Sequence, residues 1–429
     1  MSEVIPFKGV IYRDRKNISR LVTPPYDVIS PEEQDKYYHV HPDNIIRLIL
    51  GKEHSGDGGR ENKYTRASRF LEKWLEKGIL EKDANPAFYV LGQEFTVNGK
   101  RKKRLGFLGL IRLEEFGKNI FPHETTLSAP RADRFKLISA CRANLSPIFS
   151  FYSDSTGAVR KVLEKTVRNR PLGTFTMPDR FSRVRNRYWR VDNRADTDRI
   201  SKLMRAKKVF IADGHHRYET AMAYLRTRKE IPGYSAKAAY NYVLMYFARL
   251  EDKGLVILPA HRVLSRKYSL ENLPDRVRKA GFKVMEMTRA KMIRQMSHCP
   301  KEKCAIGFYT GGKKFYMIQM SRNSVLPEIP MDRSARWKKM DVSVLHYFVF
   351  RQLFTPQEIE KISRSEDVKY VIPHDKVIST VNKEKCAAFF INPTRINEVR
   401  AVAGQKECLP GKSTYFYPKL PSGIVIHKF

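Results

Sequence analysis

The densest chemistry in the chain lies in Lys207–Arg228, KKVFIADGHHRYETAMAYLRTR. Val209–Ala212 is a short apolar run, Asp213-Gly214 is a turn signal, and Tyr218, Ala221, Met222 and Leu225 then recur at helical spacing. Strand, tight turn and helix start form a layout suited to an anion. First-turn N–H groups lack intrahelical partners and together carry about half a positive charge. Gly214 lets the backbone approach a ligand closely, while His215, His216 and Arg217 add donors at the same end, Arg217 in a form suited to bidentate phosphate binding. Asp213 suits a helix cap or a contact to metal or water.

Three further segments concentrate polar chemistry in short loops. His123-Glu124-Thr125-Thr126 joins an imidazole, a carboxylate and two hydroxyls; Gly411-Lys412-Ser413-Thr414 joins a cation and two hydroxyls; Pro24-Pro25 holds Tyr26-Asp27 on an extended path. The lysine-hydroxyl pair is not a Walker motif, because the glycine such a motif needs at position 406 is Lys406. The five cysteines are thinly spread with no C-x-x-C pair, so neither a disulfide framework nor a four-cysteine zinc site is expected.

Elements must position these groups. Ser30-Pro31-Glu32-Glu33 is a helix start with Ser30 as cap. Gly51–Glu61 reads as a polar loop, 64–77 as an amphipathic helix, and Ala87–Leu113 as a β-hairpin turning at Asn98-Gly99. A helix over Asp133–Arg142 and a strand over Pro147–Tyr152 follow, then a basic, turn-rich stretch at 156–190 suited to joining two lobes. Asp196–Met204 reads as a helix, the flanks of Glu251–Gly254 as buried strands, Ala305–Met320 as a hairpin around Gly311-Gly312, Val342–Phe354 as a core helix, and Val368–Ile372 and Ala387–Asn392 as strands. The expected organisation is an N-terminal α+β region at 1–155, a region carrying DGHHR at 156–265, and a C-terminal α+β region at 266–429.

The 429 residues hold 81 Lys plus Arg against 45 Asp plus Glu, a formal charge of +36. Such a surface draws in any polyanion, and its basic clusters at Lys100–Arg104, Arg183–Arg190 and Arg205–Lys208 are scattered enough to read as solvated faces. A hydrophobic fraction of 42% supplies a core, while the chain has neither an apolar run long enough to span a bilayer nor a leader-like start. A soluble, cytoplasmic protein without membrane partners is expected, of an oligomeric state that the chain does not reveal.

VTPPYDVIS, FPHETTL with APRADR, ANLSPIFSFYSD, IADGHHRYETA and LPGKSTYFYPKLPSGIV occur in this order across Ile5–Val425. Together they resemble a family long catalogued as a domain of unknown function, members of which are known as pyrophosphate-dependent serine kinases. DGHHR alone resembles the active-site element of the ParB/sulfiredoxin superfamily. A sulfiredoxin requires a cysteine where this chain has His215, and no helix-turn-helix pattern follows Thr220 as it does in partition proteins. The resemblance implies an α+β fold of mixed sheets, with a ParB/sulfiredoxin-like catalytic core and family-specific additional lobes. It implies an enzyme that transfers a phosphoryl group from pyrophosphate to the hydroxyl of free L-serine, giving O-phosphoserine for amino-acid metabolism. The alternatives are an ATP- or ADP-dependent serine kinase, or a ParB-like nucleic-acid-binding protein without activity.

Under that resemblance Mg²⁺ would bridge the phosphates, with Asp213 and Asp133 as metal contacts. Glu124, Asp213 and His216 would be catalytic, Glu124 as the base. Gly214, His215, His216, Arg217, Arg131, Arg134, Arg47 and Lys412 would hold phosphate. Tyr26, Asp27, His123, Thr125, Thr126, Ser413 and Thr414 would face the substrate.

Overall fold

In a computed structural model, residues 1–124, 128–179, 181–268, 272–324, 329 and 332–429 are described. Thr125 and Thr126 lie outside them. Contacts group the chain into two compact units, the first comprising Met1–Pro122, Leu127–Leu255 and Pro418–Phe429, the second His123–Thr126 and Val256–Tyr417. Both mix helices with sheets, in keeping with the expected α+β class.

The first unit is built on a nine-stranded sheet. Its centre is the expected hairpin, Phe88–Val97 with Lys100–Arg112, closed where Asn98 and Gly99 take φ values of 50° and 71°, as a type I′ turn demands. Arg183–Val191 and Gly173–Pro178 extend one side. Tyr242–Arg249, Ile148–Tyr152, Val209–Asp213 and Ile120–Phe121 extend the other, with two parallel pairings among them. The stretch at 156–190 is therefore not a connector: it folds as the helix Ala158–Thr166 and two strands of this sheet. Its alternation, buried at Phe175 and Met177 with Thr176 between and at Val184 and Tyr188 with Arg185 and Arg187 between, is a half-buried strand pattern, and the arginines of the second strand conceal it.

Helices Ala158–Thr166, Arg194–Met204 and His215–Glu230 lay Val159, Leu163, Ile200, Met204, Tyr218, Ala221 and Leu225 into one core with the sheet. Phe107 stacks on Phe247 at 4.9 Å and meets Phe88 edge-on at 5.3 Å. Each such fully buried side chain contributes about 1.5–3 kcal/mol of transfer free energy. The helix Pro31–Val40 starts as its sequence demands: Ser30 Oγ accepts from the Glu33 amide at 3.2 Å and the Glu33 carboxylate accepts from the Ser30 amide at 2.8 Å. The helix Ser128–Cys141 begins five residues before its expected start.

The second unit carries a six-stranded antiparallel sheet ordered Val284–Met287, Phe315–Ser321, Lys303–Tyr309, Ala387–Phe390, His261–Leu264, Val368–Val371. Alternate strand residues feed two cores: Ala305 packs with Met292 and Val377, while Ile306 packs with Leu345 and Phe350. The expected helix over Val342–Phe354 exists but contains a π-helical turn, Leu345–Val349, flanked by α-helical Asp341–Val344 and Phe350–Leu353.

Candidate functional site

The strand Val209–Asp213 ends at Gly214, which adopts φ 91° and ψ 30° and caps the helix His215–Glu230. Only glycine takes that conformation without strain. A Cβ there would also lie 2.8 Å from Arg217 Nε and 2.9 Å from its Cζ, so the Arg217 side chain folds back across the turn. Arg217 Nη1 donates to the Pro147 carbonyl, and Nη2 lies 3.4 Å from Asp213 Oδ2. The other Asp213 oxygen, Oδ1, lies 3.3 Å from Lys419 Nζ. Asp213 is thus held between two cations, and Gly214 itself occupies the N-cap position.

Arg134 reaches the same neighbourhood from the helix Ser128–Cys141. It is buried, donates from Nη1 to the Ile49 carbonyl at 2.8 Å and from Nε to Asp133 Oδ2 at 2.8 Å, and its guanidinium carbon sits 4.0 Å over the Tyr26 ring. Burial pushes the Tyr26 hydroxyl up from its ordinary pKa, with the Asp27 charge acting in the same direction. Burial would also raise the Asp133 carboxyl, but the Arg134 charge and hydrogen bonds from Tyr64 at 2.7 Å and Lys63 at 2.9 Å outweigh it and hold the pKa at about 2. Tyr26, Arg134 and Arg217 line one cleft of about 490 Å³ including its open mouth, together with Ile49, Leu137, Val243 and Thr220.

The other expected phosphate and substrate groups of this unit are placed differently. Arg47 donates to the carbonyls of Tyr38 at 3.0 Å and His41 at 3.2 Å, closing the C-terminal end of the helix Pro31–Val40; it is a structural cation. Arg131 is exposed, 3.7 Å from Glu219 Oε2. Asp27 is exposed, His215 is buried and His216 is half-buried.

A second cluster belongs to the second unit. Glu124 Oε1 accepts from both the amide and the hydroxyl of Thr414, each at 2.8 Å. His123, fully buried, places Nε2 at 2.7 Å from the Thr414 hydroxyl oxygen. With that hydroxyl donating to Glu124, His123 Nε2 must carry the proton it donates to Thr414, giving the chain His123 to Thr414 to Glu124. Ser413 is buried and gives its hydroxyl to the Pro410 carbonyl, a local turn bond, which removes it from the substrate-facing set. Lys412 is exposed with φ 58°.

The residues present do not fit a protein-held Mg²⁺. Among the described residues no group of three or more His, Cys, Asp or Glu side chains converges. Of the two expected metal contacts, Asp213 faces Arg217 and Lys419, and Asp133 faces Lys63 and Arg134. Sequence reasoning missed Lys419 and Thr220. Lys419 stands inside the Pro418–Gly423 motif but 206 positions from Asp213, with no spacing signal to join them, and Thr220 reads as one more helical residue.

A family profile described as "Protein of unknown function (DUF1015)" matches residues 4–343. Among curated proteins none matches. Solved structures with a similar arrangement include a conserved hypothetical protein from Pyrococcus furiosus (14% identity, TM-score 0.36, covering 74% of this chain and 93% of that one). A free serine kinase in complex with AMP is similar at 12% identity and TM-score 0.35, over 72% of this chain and 86% of that one. C-terminally truncated SbnI from Staphylococcus aureus is similar at 12% identity and TM-score 0.37, over 74% and 86%. Among the described residues no helix is long and apolar enough to cross a membrane.

Proposed function

The chain belongs to the DUF1015 family, and we propose that it is a small-molecule phosphotransferase that moves a phosphoryl group from pyrophosphate to the hydroxyl of free L-serine. The observation that carries this reading is the pair Arg134 and Arg217 on one cleft at the first turns of the helix His215–Glu230. Phosphoryl transfer asks a protein chiefly to position the reactants and to neutralise charge. Two arginines on one cleft supply fixed positive charge for anionic reactants.

In the reaction the serine oxygen attacks phosphorus, its proton passes to a base, and the bond to the leaving phosphate breaks. Asp213 is a positioning residue in this scheme: it faces Arg217 on one side and Lys419 on the other, and so fixes where the guanidinium lies. Glu124, in the second unit, is a candidate base on the family resemblance alone, and Glu124→Gln tests it separately.

The test is phosphoserine formation from L-serine and Mg²⁺, with pyrophosphate, ADP and ATP supplied one at a time. Product is expected with pyrophosphate and is expected to be lost in Arg217→Ala and in His216→Ala. Product with ADP or ATP alone would keep the kinase and replace the donor. Folded protein that forms none with any donor would refute the reading.

A further inference from the structure

One buried polar group in the cleft wall has no partner. Thr220, in the second turn of the helix His215–Glu230, is 2% exposed, and its Oγ1 makes no hydrogen bond. A threonine inside a helix ordinarily returns its hydroxyl to the carbonyl four residues back. Thr166 and Thr227 do so, to Val162 and Ala223, each at 3.2 Å. Thr220 does not, although an orphaned buried hydroxyl destabilises the fold that contains it. The residue lines the cleft, and rotation of its side chain would turn the enclosed hydroxyl toward a molecule bound there.

The rest of the lining decides which molecule. Arg134 and Arg217 are the cations, Tyr26, Asn144 and Ser146 add neutral polar groups, no Asp or Glu lines the cleft, and Ile49, Leu137, Ile138 and Val243 give it aliphatic walls. Pyrophosphate is charged at both ends and would set part of that charge against these walls, away from water. A small carboxylic acid has one anionic end and a short carbon body, which matches both the arginines and the walls.

We infer that this cleft is the acceptor subsite, taking a small α-substituted carboxylate with its anionic end toward the arginine pair and a polar group bonded to Thr220 Oγ1. Thr220 then positions and selects the acceptor, and the phosphoryl donor binds outside the cleft. The identity of that acceptor as L-serine rests on the kinase reading above; the chemical class of the ligand does not.

The experiment is calorimetric titration of the full chain with L-serine and, separately, with inorganic pyrophosphate, for the native protein, Thr220→Val and Thr220→Ser. Valine keeps the shape and removes the hydroxyl. Serine affinity is expected to fall at least about fivefold in Thr220→Val and to return in Thr220→Ser, with pyrophosphate affinity unchanged. The ligand-free melting temperature of Thr220→Val is expected to hold or rise, since an orphaned group has been removed. Unchanged serine affinity, an equal loss for pyrophosphate, a lowered melting temperature, or no serine binding by the native protein would each overturn the inference. The titrations need no turnover, so the two readings fail separately. Thr220-dependent serine binding without phosphoserine formation refutes the kinase and keeps the subsite. Turnover with undiminished serine affinity in Thr220→Val refutes the subsite and keeps the kinase.

Discussion

Gly214→Ala tests the turn on which the cleft depends. Alanine at φ 91° costs about 1–2 kcal/mol of backbone strain. Its Cβ would lie 2.8 Å from Arg217 Nε, so the guanidinium must withdraw from the Pro147 carbonyl and from Asp213. With the Arg217 side chain 13% exposed, losing that charged hydrogen bond costs about 1–2 kcal/mol. Against these stands about 0.4–1 kcal/mol gained because alanine narrows the unfolded ensemble. The net expectation is a loss of about 1–3 kcal/mol. Urea unfolding followed by tryptophan fluorescence reads it, with Trp74 and Trp189 as the buried reporters of the first unit. Part of the loss acts through Arg217, so in an Arg217→Ala background Gly214→Ala should cost only the strain, and the two changes should be non-additive. Native stability in the single variant, or full additivity in the double, would refute the geometry argued for this turn.

Two pH dependences follow, from half-buried Asp133 and buried His427. Asp133 is held at about 2, with burial opposing and Arg134, Tyr64 and Lys63 prevailing, so its stabilisation is complete above the unfolded carboxylate value and is lost as pH falls toward 2. Asp133→Asn should therefore lower stability at neutral pH by about 1–2 kcal/mol after screening and flatten the acid limb of a urea-midpoint profile; an unchanged limb would contradict the pairing. His427 is depressed to about 4, chiefly by burial, with the Ala239 carbonyl opposing and Lys82 assisting. The unfolded chain protonates first there, so stability present above pH 6.5 declines as pH falls toward 4. His427→Phe should remove that decline, and a slope that persists would place the titrating group elsewhere.

Much of the frame was legible because local chemistry and tertiary role agree in it. Ser30 with Glu33, Asn98-Gly99 and the run from Val209 to Gly214 each specify their structure within a few residues, and each forms as read. The stretch at 156–190 was misread because composition outweighed periodicity: its arginines suggested a solvated connector while Phe175, Met177 and Val184 were marking a buried face. At the site, the helix-start arginine was legible and the cleft was not. Arg47 and Arg134 look alike as sequence; only the fold turns one to the Tyr38 carbonyl and lays the other over Tyr26. Asp213 announces a cap or a metal contact, and nothing in the sequence announces Lys419, brought from the far end of the chain to face it. No spacing rule joins residues so distant.

The formal charge of +36 and the cleft act over different ranges, and that difference separates a small-molecule enzyme from a nucleic-acid binder. Surface charge attracts anions over a distance set by screening, about 8 Å at physiological salt. It therefore governs how fast an anion arrives. Arg134 is 8% exposed, so its contact with a bound anion is screened far less and governs how long the anion stays. For L-serine, which is zwitterionic, the field contributes little to arrival, and affinity should depend weakly on salt. For pyrophosphate, which binds outside the cleft on the reading above, association should slow as salt rises from about 0.05 M to about 0.5 M and its affinity should fall with it. A nucleic-acid binder loses affinity in proportion to the phosphates it neutralises. Stopped-flow binding across that salt range distinguishes them. A serine affinity that collapses with salt would mean that the buried arginines do not hold the ligand, and a steep salt slope with sequence preference on DNA would hand the basic surface to nucleic acid instead.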